Sequence, residues 1–328
     1  MKSGIAPVTR RGALGLLGGA GLATSGVLET SSALAAVPRR VYDLVPIKVA
    51  DGVWMIEGAT EYFSNENGGA IVNCALIETL TGLVIIDTGA SLRYGQALQE
   101  IAVQISPIGV AAIFNTHHHP DHFFGNQVFA DKPIYALAGT QKLAEQDGDG
   151  FSDNMYRLLG DWMRGTEPVP PNQALTSSSI TLGGRDFSLY PLEGHTDADL
   201  AILDRKSGIL IAGDLAFLDR APTTPHADLN AWRASLDSLA SLNAGAIIPG
   251  HGPLDTSGAS LIQTRAYLDW LDKTLRQAAT EGLSMVEVMN EDIPANYAAM
   301  GAMPQEFHRS VAHLFPDIER EILPVSNP

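Results

Sequence analysis

Short hydrophobic runs, separated by glycine and polar turn residues, follow one another along most of the chain. β-Branched and aliphatic residues predict strands in "GVWMIEG", "AIVNCALIET", "GLVIIDTG", "VAAIFNT" and "PIYALA". Farther along, "ITLGGRDFSLYPL" predicts a hairpin that turns at Gly183 and Gly184, and "LAILD" with "GILIAGD" predicts a second strand pair. Apolar residues at helical spacing predict a helix in "LRYGQALQEIAVQI". This mixture of strands and helices predicts a fold of the α/β class, in the broad sense that includes α+β.

The pattern becomes helical beyond Thr256. Apolar residues recur at helical spacing in "LIQTRAYLDWLDKTLRQAATEG" and in "PQEFHRSVAHLF". We therefore predict a main domain over residues 36–255 and a helical extension over residues 256–328 that packs on the same domain. His308 and His313 fall in this extension, where we expect them to be surface or packing residues.

The chain is strongly acidic, and this bears on its partners. Asp and Glu number 37 against 21 Lys and Arg, which gives a formal net charge of -16, and 45% of the residues are hydrophobic. That composition is typical of a globular protein that buries a sizeable core. The negative charge would repel phosphate backbones, and the sequence has no basic patch with interleaved aromatic residues. We therefore expect a small-molecule substrate and no nucleic-acid partner.

The first 35 residues differ in composition from the rest of the chain. Arg10 and Arg11 precede an uncharged stretch rich in Gly, Ala and Leu, which ends in an A-x-A site at residues 33–35. This arrangement resembles a twin-arginine export signal. It predicts a signal peptide over residues 1–35 and a periplasmic protein that has no stable membrane insertion after cleavage. An uncleaved membrane anchor is the alternative.

Four of the nine histidines lie in "NTHHHPDH", residues 115–122. The cluster follows the predicted strand "AAIF", and in an extended loop the side chains at positions i and i+2 point the same way. His117 and His119 can therefore share one metal ion, while His118 should point elsewhere. Pro120 permits a helix to begin just after it, so Asp121 and His122 lie on a tight turn and suit a second ion. The alternative is a helix whose N-cap is Asp121, surrounded by surface histidines.

Three more candidate ligands lie where apolar runs meet glycine-flanked loops. They are His195 in "LEGHTDAD", Asp214 at the end of "GILIAGD" and His251 in "AIIPGHG". Placed in this way, all the candidates would lie along one edge of the predicted sheets, where functional residues often sit on a rigid scaffold.

The motifs "HHHPDH", "GHT", "AGD" and "PGHG", preceded by "IIDTG", resemble the motif series of the metallo-β-lactamase superfamily from about Val53 to His251. The resemblance implies an αββα sandwich with two zinc ions between its sheets, iron or manganese being alternatives. It also implies a ligand set, in which Asp214 bridges the ions, His117, His119 and His195 hold the first, and Asp121, His122 and His251 hold the second. Asp87 in "IIDTG" is then a buried residue that supports the ligand loops.

Other stretches resemble a narrower subgroup, the quinoprotein relay system zinc metallohydrolases, which are related to a sulfur-oxidation accessory protein. They include "IEGATEYFSNENGGAIVN", "DNMYRLLGDWMRGTE" and "DRAPTTPHADLNAW". This resemblance implies a functional link to dehydrogenases that use pyrroloquinoline quinone, without implying a particular reaction.

The predicted function is hydrolysis of a small ester, thioester or lactone by a hydroxide that bridges the two ions, with Asp121 orienting the nucleophile and accepting its proton. A non-catalytic protein that binds or relays a quinone cofactor is the alternative from another class. Hydrolysis of β-lactams is also open, although a bridging Asp214 resembles other branches of the superfamily more than the antibiotic-hydrolysing one. An iron-dependent oxidative enzyme would need only one metal, and the presence of Asp121, His122 and His251 as ligands for a second metal therefore disfavours it.

The loop that follows Asp214 is a candidate wall of the substrate site. Arg220, Thr223, Thr224 and His226 in "DRAPTTPHAD" are expected to line it, and Arg220 suits a carboxylate or phosphate. The alternative is a capping loop before the helix "DLNAWRASLDSLA", with Asp228 as the N-cap. In "NMYRLLGDWMRGTE", Tyr156 and Trp162 fit either a lid or helix packing, and we favour packing.

The export signal can be tested directly. Replacing Arg10 and Arg11 together by Lys should leave precursor in the cytoplasm, because the twin-arginine pathway reads the arginine pair. The same exchange at Arg39 and Arg40, beyond the signal, is the matched control. Fractionation followed by immunoblotting measures the outcome, and an undiminished periplasmic level in the first variant would assign the signal to another pathway.

Overall fold

The computed structural model of the protein describes residues 41–323, so the predicted signal peptide lies outside the described residues. Seven strands of this part of the chain form the first sheet, in the order β1 (Pro46–Ala50), β2 (Val53–Ile56), β3 (Cys74–Thr79), β4 (Gly82–Ile86), β5 (Val110–Phe114), β6 (Ile134–Ala136) and β7 (Gln173–Ala174). Pairing is antiparallel from β1 to β4 and parallel from β4 to β7. In the parallel half, β5 lies between β4 and β6, and the carboxyl ends of these three strands share one edge of the sheet.

The second sheet has five strands within the same range. They lie in the order β12 (Ala246–His251), β11 (Ile209–Phe217), β10 (Asp199–Asp204), β9 (Arg185–Leu192) and β8 (Ser179–Leu182). Only β11 and β12 pair in parallel among these neighbours. Gly183 and Gly184 both have positive φ, at 52° and 77°, which confirms the predicted hairpin turn between β8 and β9.

The two sheets pack face to face because side chains alternate along each strand. In β3, Ala75 and Ile77 belong to the apolar layer between the sheets, whereas Cys74 and Leu76 belong to the layer under the outer helices. The second sheet contributes Phe187, Leu200 and Ile211, among others, to the layer between the sheets. A site at the edge of this layer is therefore built from both sheets and is held by their packing.

Helices cover both outer faces and complete the αββα sandwich. On the first sheet lie α1 (Leu92–Ile105), α2 (Pro120–Phe123) and α3 (Ala138–Leu159), with 3₁₀ segments at Phe124–Phe129 and Gly160–Met163. On the second lie α4 (Leu229–Ser241), α5 (Ala259–Glu281), α6 (Met285–Met289), α7 (Ala295–Ala298) and α8 (Gln305–Ile322). The predicted fold class is thus confirmed.

Two details differ from the sequence-based expectation. The helix α3 was not predicted over most of its length, because "AEQDGDGFSDN" is rich in Gly and Asp and has the composition of a loop. The run "AIVNCALIET" also becomes a strand only from Cys74, since residues 70–73 form turns instead. Both differences matter for function, because α3 and residues 70–73 lie beside the site.

The helices beyond Thr256 pack on the second sheet and on one another. Leu268, Leu271 and Leu275 of α5 and Phe307 and Val311 of α8 share one buried cluster with residues of β11. No helix within residues 41–323 is long and apolar enough to cross a membrane.

Packing of α5 on the sheet generates a stability prediction. Leu271 is fully buried, so Leu271→Ala should lower the free energy of unfolding by about 2–5 kcal/mol through lost burial and a residual cavity. Ile262 on the same helix is 70% exposed, and Ile262→Ala should change stability by no more than about 0.5 kcal/mol. Urea denaturation of both variants measures the difference, and equal effects would show that α5 does not bury this face.

Candidate metal centre

The sequence-predicted ligands converge at one edge of the sandwich. His117 and His119 follow β5 of the first sheet, while His195 follows β9 of the second. His251 is the last residue of β12, and Asp214 lies in β11. All seven predicted ligands are brought together, and each is buried.

Asp214 differs from expectation in its local structure. We predicted that it would sit where a strand ends, but β11 continues to Phe217 and its register with β12 shifts on either side of Gly213. Gly213 has a φ of 55°, and a Cβ there would lie 2.7 Å from the Cβ of Thr116. Only glycine tolerates both the conformation and the contact, and the resulting irregularity lets the Asp214 carboxylate enter the cluster.

The first group of candidate ligands surrounds one oxygen of Asp214. Its Oδ2 lies 3.3 Å from Nε2 of His195 and 4.0 Å from Nε2 of His117. Nδ1 of His119 lies 2.9 Å from the same nitrogen of His195. These three imidazoles and the carboxylate form a four-donor cluster of the kind that holds a tetrahedral cation.

The second group surrounds the other oxygen of Asp214. Its Oδ1 lies 3.1 Å from Nε2 of His122 and 3.3 Å from Nε2 of His251. Asp121 completes the group, with Oδ2 at 3.7 Å from the His122 nitrogen and 3.5 Å from the His251 nitrogen. Asp214 therefore faces one cluster with each carboxylate oxygen.

The donor atoms fit a pair of cations. Two ligands at about 2.0–2.1 Å from zinc in tetrahedral geometry lie about 3.3 Å apart, close to the spacing of these nitrogens and oxygens. Nε2 of His117 is buried and has no hydrogen-bond partner, and Nε2 of His122 and Oδ1 of Asp214 face each other at 3.1 Å without the geometry of a hydrogen bond. Orphaned buried polar atoms are costly, and here they all point at the same two places.

The second ring nitrogen of several imidazoles contacts another polar group of the protein. Nδ1 of His122 lies 2.8 Å from Oδ2 of Asp87, and Nδ1 of His251 lies 2.7 Å from the carbonyl oxygen of Ile71. Nε2 of His119 lies 2.8 Å from Nδ1 of His226. Such contacts fix the ring orientation and leave the opposite nitrogen free for a metal.

Asp87 lies outside the cluster and organises the loop that enters it. Its two carboxylate oxygens accept hydrogen bonds from the backbone N–H of Thr116 at 2.8 Å and from the Thr116 hydroxyl at 2.7 Å. Asp87 itself has a φ of 62°, an uncommon conformation for a residue other than glycine. Its local strain is offset by the contacts that it makes to Thr116 and His122.

Burial sets the protonation of the first group. It is the largest factor lowering the pKa of His117 and His119 well below the usual value, and it lowers the pKa of His195 to about 3. These three imidazoles are therefore neutral at physiological pH and offer the lone pair that a metal requires.

Charge dominates in the second group. Burial opposes protonation of His122, but the carboxylates of Asp214, Asp87 and Asp121 raise the pKa of this imidazole well above its usual value. Burial would likewise raise the pKa of Asp214, yet the surrounding histidines, His251 first among them, hold it well below the usual range. The site therefore concentrates negative charge that a cation can neutralise.

Asn73 is a supporting residue that the sequence analysis missed. Its Nδ2 donates to the carbonyl oxygens of Pro249 at 2.8 Å and Gly252 at 2.7 Å, on either side of His251. Its Oδ1 accepts from the backbone N–H of Gly58. The sequence signal that could have identified Asn73 is its position as the single amide residue within the apolar run "AIVNCALIE". In the structure this residue is buried.

The predicted substrate loop has mixed outcomes. Arg220 and His226 line a cavity beside the candidate metal centre, but Thr224 does not, since its hydroxyl donates to the hydroxyl of Ser310 in α8. Asp228 caps α4, as the alternative interpretation expected. The loop therefore both caps the helix and borders the cavity.

His118 and the α3 segment are placed as the favoured interpretations predicted. His118 belongs to neither group around Asp214, and its Nε2 lies 3.6 Å from Oδ2 of Asp147; its ring also forms a third group with His119 and His226, whose ligand atoms lie within 4.8 Å of one another. Trp162 is buried and packs on Tyr42, while Tyr156 is 42% exposed and lies outside the cavity lining. Neither aromatic residue forms a lid.

The cavity beside the candidate ligands has a volume of about 70 Å³. Residues from six parts of the chain line it, namely Tyr62, Phe63, His119, Pro120, Asp121, Phe151, Asn154, Met155, Asp214, Arg220, Thr223, His226, His251 and Arg309. The candidate ligands thus open on a small pocket with apolar and cationic lining.

Comparisons with known proteins agree with this geometry. The model of the metallo-beta-lactamase superfamily matches residues 67–251. The linear primary-alkylsulfatase of a Pseudomonas species is 24% identical over 288 residues, which cover 73% of this chain and 53% of that protein. The probable metallo-hydrolase YqjP of Bacillus subtilis is 26% identical over 220 residues, which cover 56% of this chain and 68% of that protein. The chain thus spans about half the length of the alkylsulfatase.

Solved structures share the fold. A metallo-beta-lactamase from Pontibacter korlensis matches 69% of this chain and 99% of its own, with a TM-score of 0.56 and 22% identity. The metallo-beta-lactamase FIM-1 from Pseudomonas aeruginosa, solved in its mono-zinc form, matches 70% of this chain and 96% of its own, with a TM-score of 0.57 and 19% identity.

The role of Asn73 generates a prediction about metal binding. The wild-type protein should bind close to two zinc ions per chain, and Asn73→Ala should weaken the second ion about 10–100-fold, because the His251 loop loses its clamp. Asn172→Ala is the control, since the Asn172 side chain likewise bonds the backbone, at Ile134 and Lys132, but holds no segment that carries a candidate ligand.

Metal content after dialysis against graded chelator concentrations measures both effects. A wild-type stoichiometry that stays near one in excess zinc would contradict the dinuclear assignment. Equal retention by the Asn73 and Asn172 variants would remove the positioning role of Asn73.

Proposed function

The chain belongs to the metallo-beta-lactamase superfamily, and from that membership we propose that it is a dinuclear zinc hydrolase acting on a small ester, thioester or lactone. The observation that carries the proposal is the position of Asp214 between two complete ligand groups. One carboxylate oxygen faces His117 and His195, and the other faces His122 and His251. A protein that only stores a cofactor has no need for a carboxylate shared in this way.

Zinc is the proposed metal because of the donor set. Neutral imidazoles and carboxylates in groups of four suit zinc, with iron and manganese as alternatives. The mono-zinc form of a structurally similar protein supports this choice. Two bound cations would supply a nucleophilic hydroxide at neutral pH and would polarise the bond that is cleaved.

The residues of the chain perform the remaining tasks. Asp121 lines the cavity beside His251, which supports a role for its carboxylate in orienting the nucleophile and accepting its proton. Asp214 is buried and keeps both groups in register, while Asp87 and Asn73 hold the loops that carry His122 and His251.

The substrate class is supported by chemistry and by one relative. The hydrolysis of an ester, thioester or lactone needs an activated water and a polarised acyl group, and the described residues near the ligands include no serine or cysteine in the cavity lining. The alkylsulfatase relative is named for cleaving a different ester bond, which supports ester hydrolysis in general. β-Lactam hydrolysis is not favoured by any contact, because the similarity to the solved β-lactamases extends to the fold alone.

We also propose export to the periplasm and a functional link to quinoprotein dehydrogenases. The paired Arg10 and Arg11 support the first, and the sequence motifs of residues 56–73 and 219–232 support the second. Both proposals rest on sequence resemblance.

Variants of Asp121 and His118 distinguish a catalytic role from a packing role within the same loop. Asp121→Ala should keep the fold and the first metal but lower turnover about a hundredfold or more, because the nucleophile loses its positioning and its base. His118→Ala is the matched control from the same loop and should retain both metals, at a cost on the order of 1 kcal/mol in stability.

Metal content and turnover of both variants are measured side by side, on the substrate that a screen of esters, thioesters and lactones identifies. If His118→Ala loses a metal while Asp121→Ala keeps both metals and full activity, the ligand assignment is wrong.

A further inference from the structure

The helix α8 reaches the cavity from outside the region that the family model covers. Arg309 of α8 lines the same cavity as Asp121 and His251, although the family match ends at residue 251. The solved β-lactamases match nearly their whole length but only about 70% of this chain. Arg309 is therefore supplied by a part of the chain beyond the family match, and it lines the same cavity as the candidate ligands.

A buried carboxylate organises two guanidinium groups at this wall. Glu306 of α8 is fully buried, and its Oε1 accepts from the hydroxyl of Thr223 at 2.8 Å and faces Nη2 of Arg220 at 3.4 Å. Nη1 of Arg309 lies 3.2 Å from Oε2 of the same carboxylate. One carboxylate thus balances only one of the two arginines, and the wall keeps one surplus positive charge.

The donors of Arg220 are not all used. Its side chain is 1% exposed, and its Nε and Nη1 have no hydrogen-bond partner. Arginine keeps its charge at any physiological pH, so a buried guanidinium with unused donors favours an oxyanion beside it. Its position on the cavity lining makes that place accessible from the candidate metal centre.

The apolar part of the cavity lining has a different character. Tyr62, Phe63, Phe151 and Met155 line the cavity with aromatic and apolar surface, and the guanidinium of Arg309 lies 5.7 Å from the ring centroid of Tyr62. This cation–π contact helps to hold Arg309 in place at the cavity lining. A ligand with a short apolar body and one anionic end matches both walls.

We propose that Arg309 and Arg220, arranged by Glu306, form a subsite for an organic monoanion, so that the preferred substrates are esters that carry a carboxylate or sulfonate group away from the bond that is cleaved. The substrate part rests on the proposed hydrolase function, whereas the anion subsite does not. Glu306 sets the charge of the subsite, since it neutralises one arginine and leaves a match for a single negative charge.

The kinetic test uses zinc-loaded protein and two esters with the same leaving group and chain length. These are mono-4-nitrophenyl glutarate, which carries a carboxylate, and neutral 4-nitrophenyl pentanoate. Arg309→Gln should lower the ratio of kcat/KM for the anionic ester to that for the neutral ester about tenfold or more, mainly through KM, because a charge-assisted hydrogen bond is lost. Arg320→Gln is the control, on the same helix with a side chain that is 76% exposed.

Glu306→Gln should change the ratio of the two kcat/KM values in the opposite direction. The amide keeps the shape of the side chain but removes its charge, so the subsite becomes more positive and the same ratio should rise. A purely structural role for Glu306 or Arg309 predicts instead that both esters are affected alike. Such parallel losses in Arg309→Gln would overturn the proposal, and this variant decides the question even if Glu306→Gln does not fold.

A binding measurement separates this inference from the hydrolase proposal. Calorimetric titration of the zinc-loaded protein with butyrate and with propanesulfonate should give about tenfold weaker binding in Arg309→Gln than in the wild type, and the stronger of the two ligands identifies the preferred anion. Unchanged binding of both ligands would reject the subsite. If none of the esters, thioesters or lactones is hydrolysed, the proposed function fails while the titration still decides the subsite.

Discussion

The buried carboxylate of Asp214 is the interaction on which the rest of the site depends. It lies among four imidazoles from three parts of the chain, and a charge so deeply buried is stable only when polar or oppositely charged groups surround it. The local sequence makes room for it on two sides. Gly213 supplies the irregular backbone, and a Cβ at Gly250 would lie 2.0 Å from Oδ1 of Asp214. The position of the Asp214 carboxylate therefore requires glycine at residues 213 and 250.

The site also couples the two sheets. The first sheet carries the loop of His117 to His122, and the second carries His195, Asp214 and His251. The ligand geometry therefore requires the apolar layer between the sheets to fix their relative position, since a displacement of about 1 Å would separate donors that lie 3.1 to 3.3 Å apart. The outer helices also help to fix the position of the second sheet, because α5 and α8 pack on the sheet that carries Asp214.

The pocket wall joins this shared scaffold to features of this chain. The metal ligands come from the part of the chain that the superfamily model matches, whereas Glu306 and Arg309 come from α8 beyond it. A rigid scaffold that holds reactive groups and a variable periphery that selects the ligand is a common division in enzyme folds. Here the periphery is a packed helix, so its charged groups are held as firmly as those of the core.

The sequence by itself determined the strands and helices with strong periodicity, because burial alternates with the period of each element. It also determined the seven candidate ligands and their grouping at one edge, because metals demand particular donor types. It did not reveal α3, whose Gly and Asp content opposes the local helix signal, or the placement of Asp214 within a continuing strand. Only the tertiary structure decided that Asn73 clamps the loop of His251 across 176 residues, that His226 backs His119, and that Glu306 joins Arg220 to Arg309. These contacts join positions far apart in the chain, and they depend on how whole layers pack, which no local pattern of residues encodes.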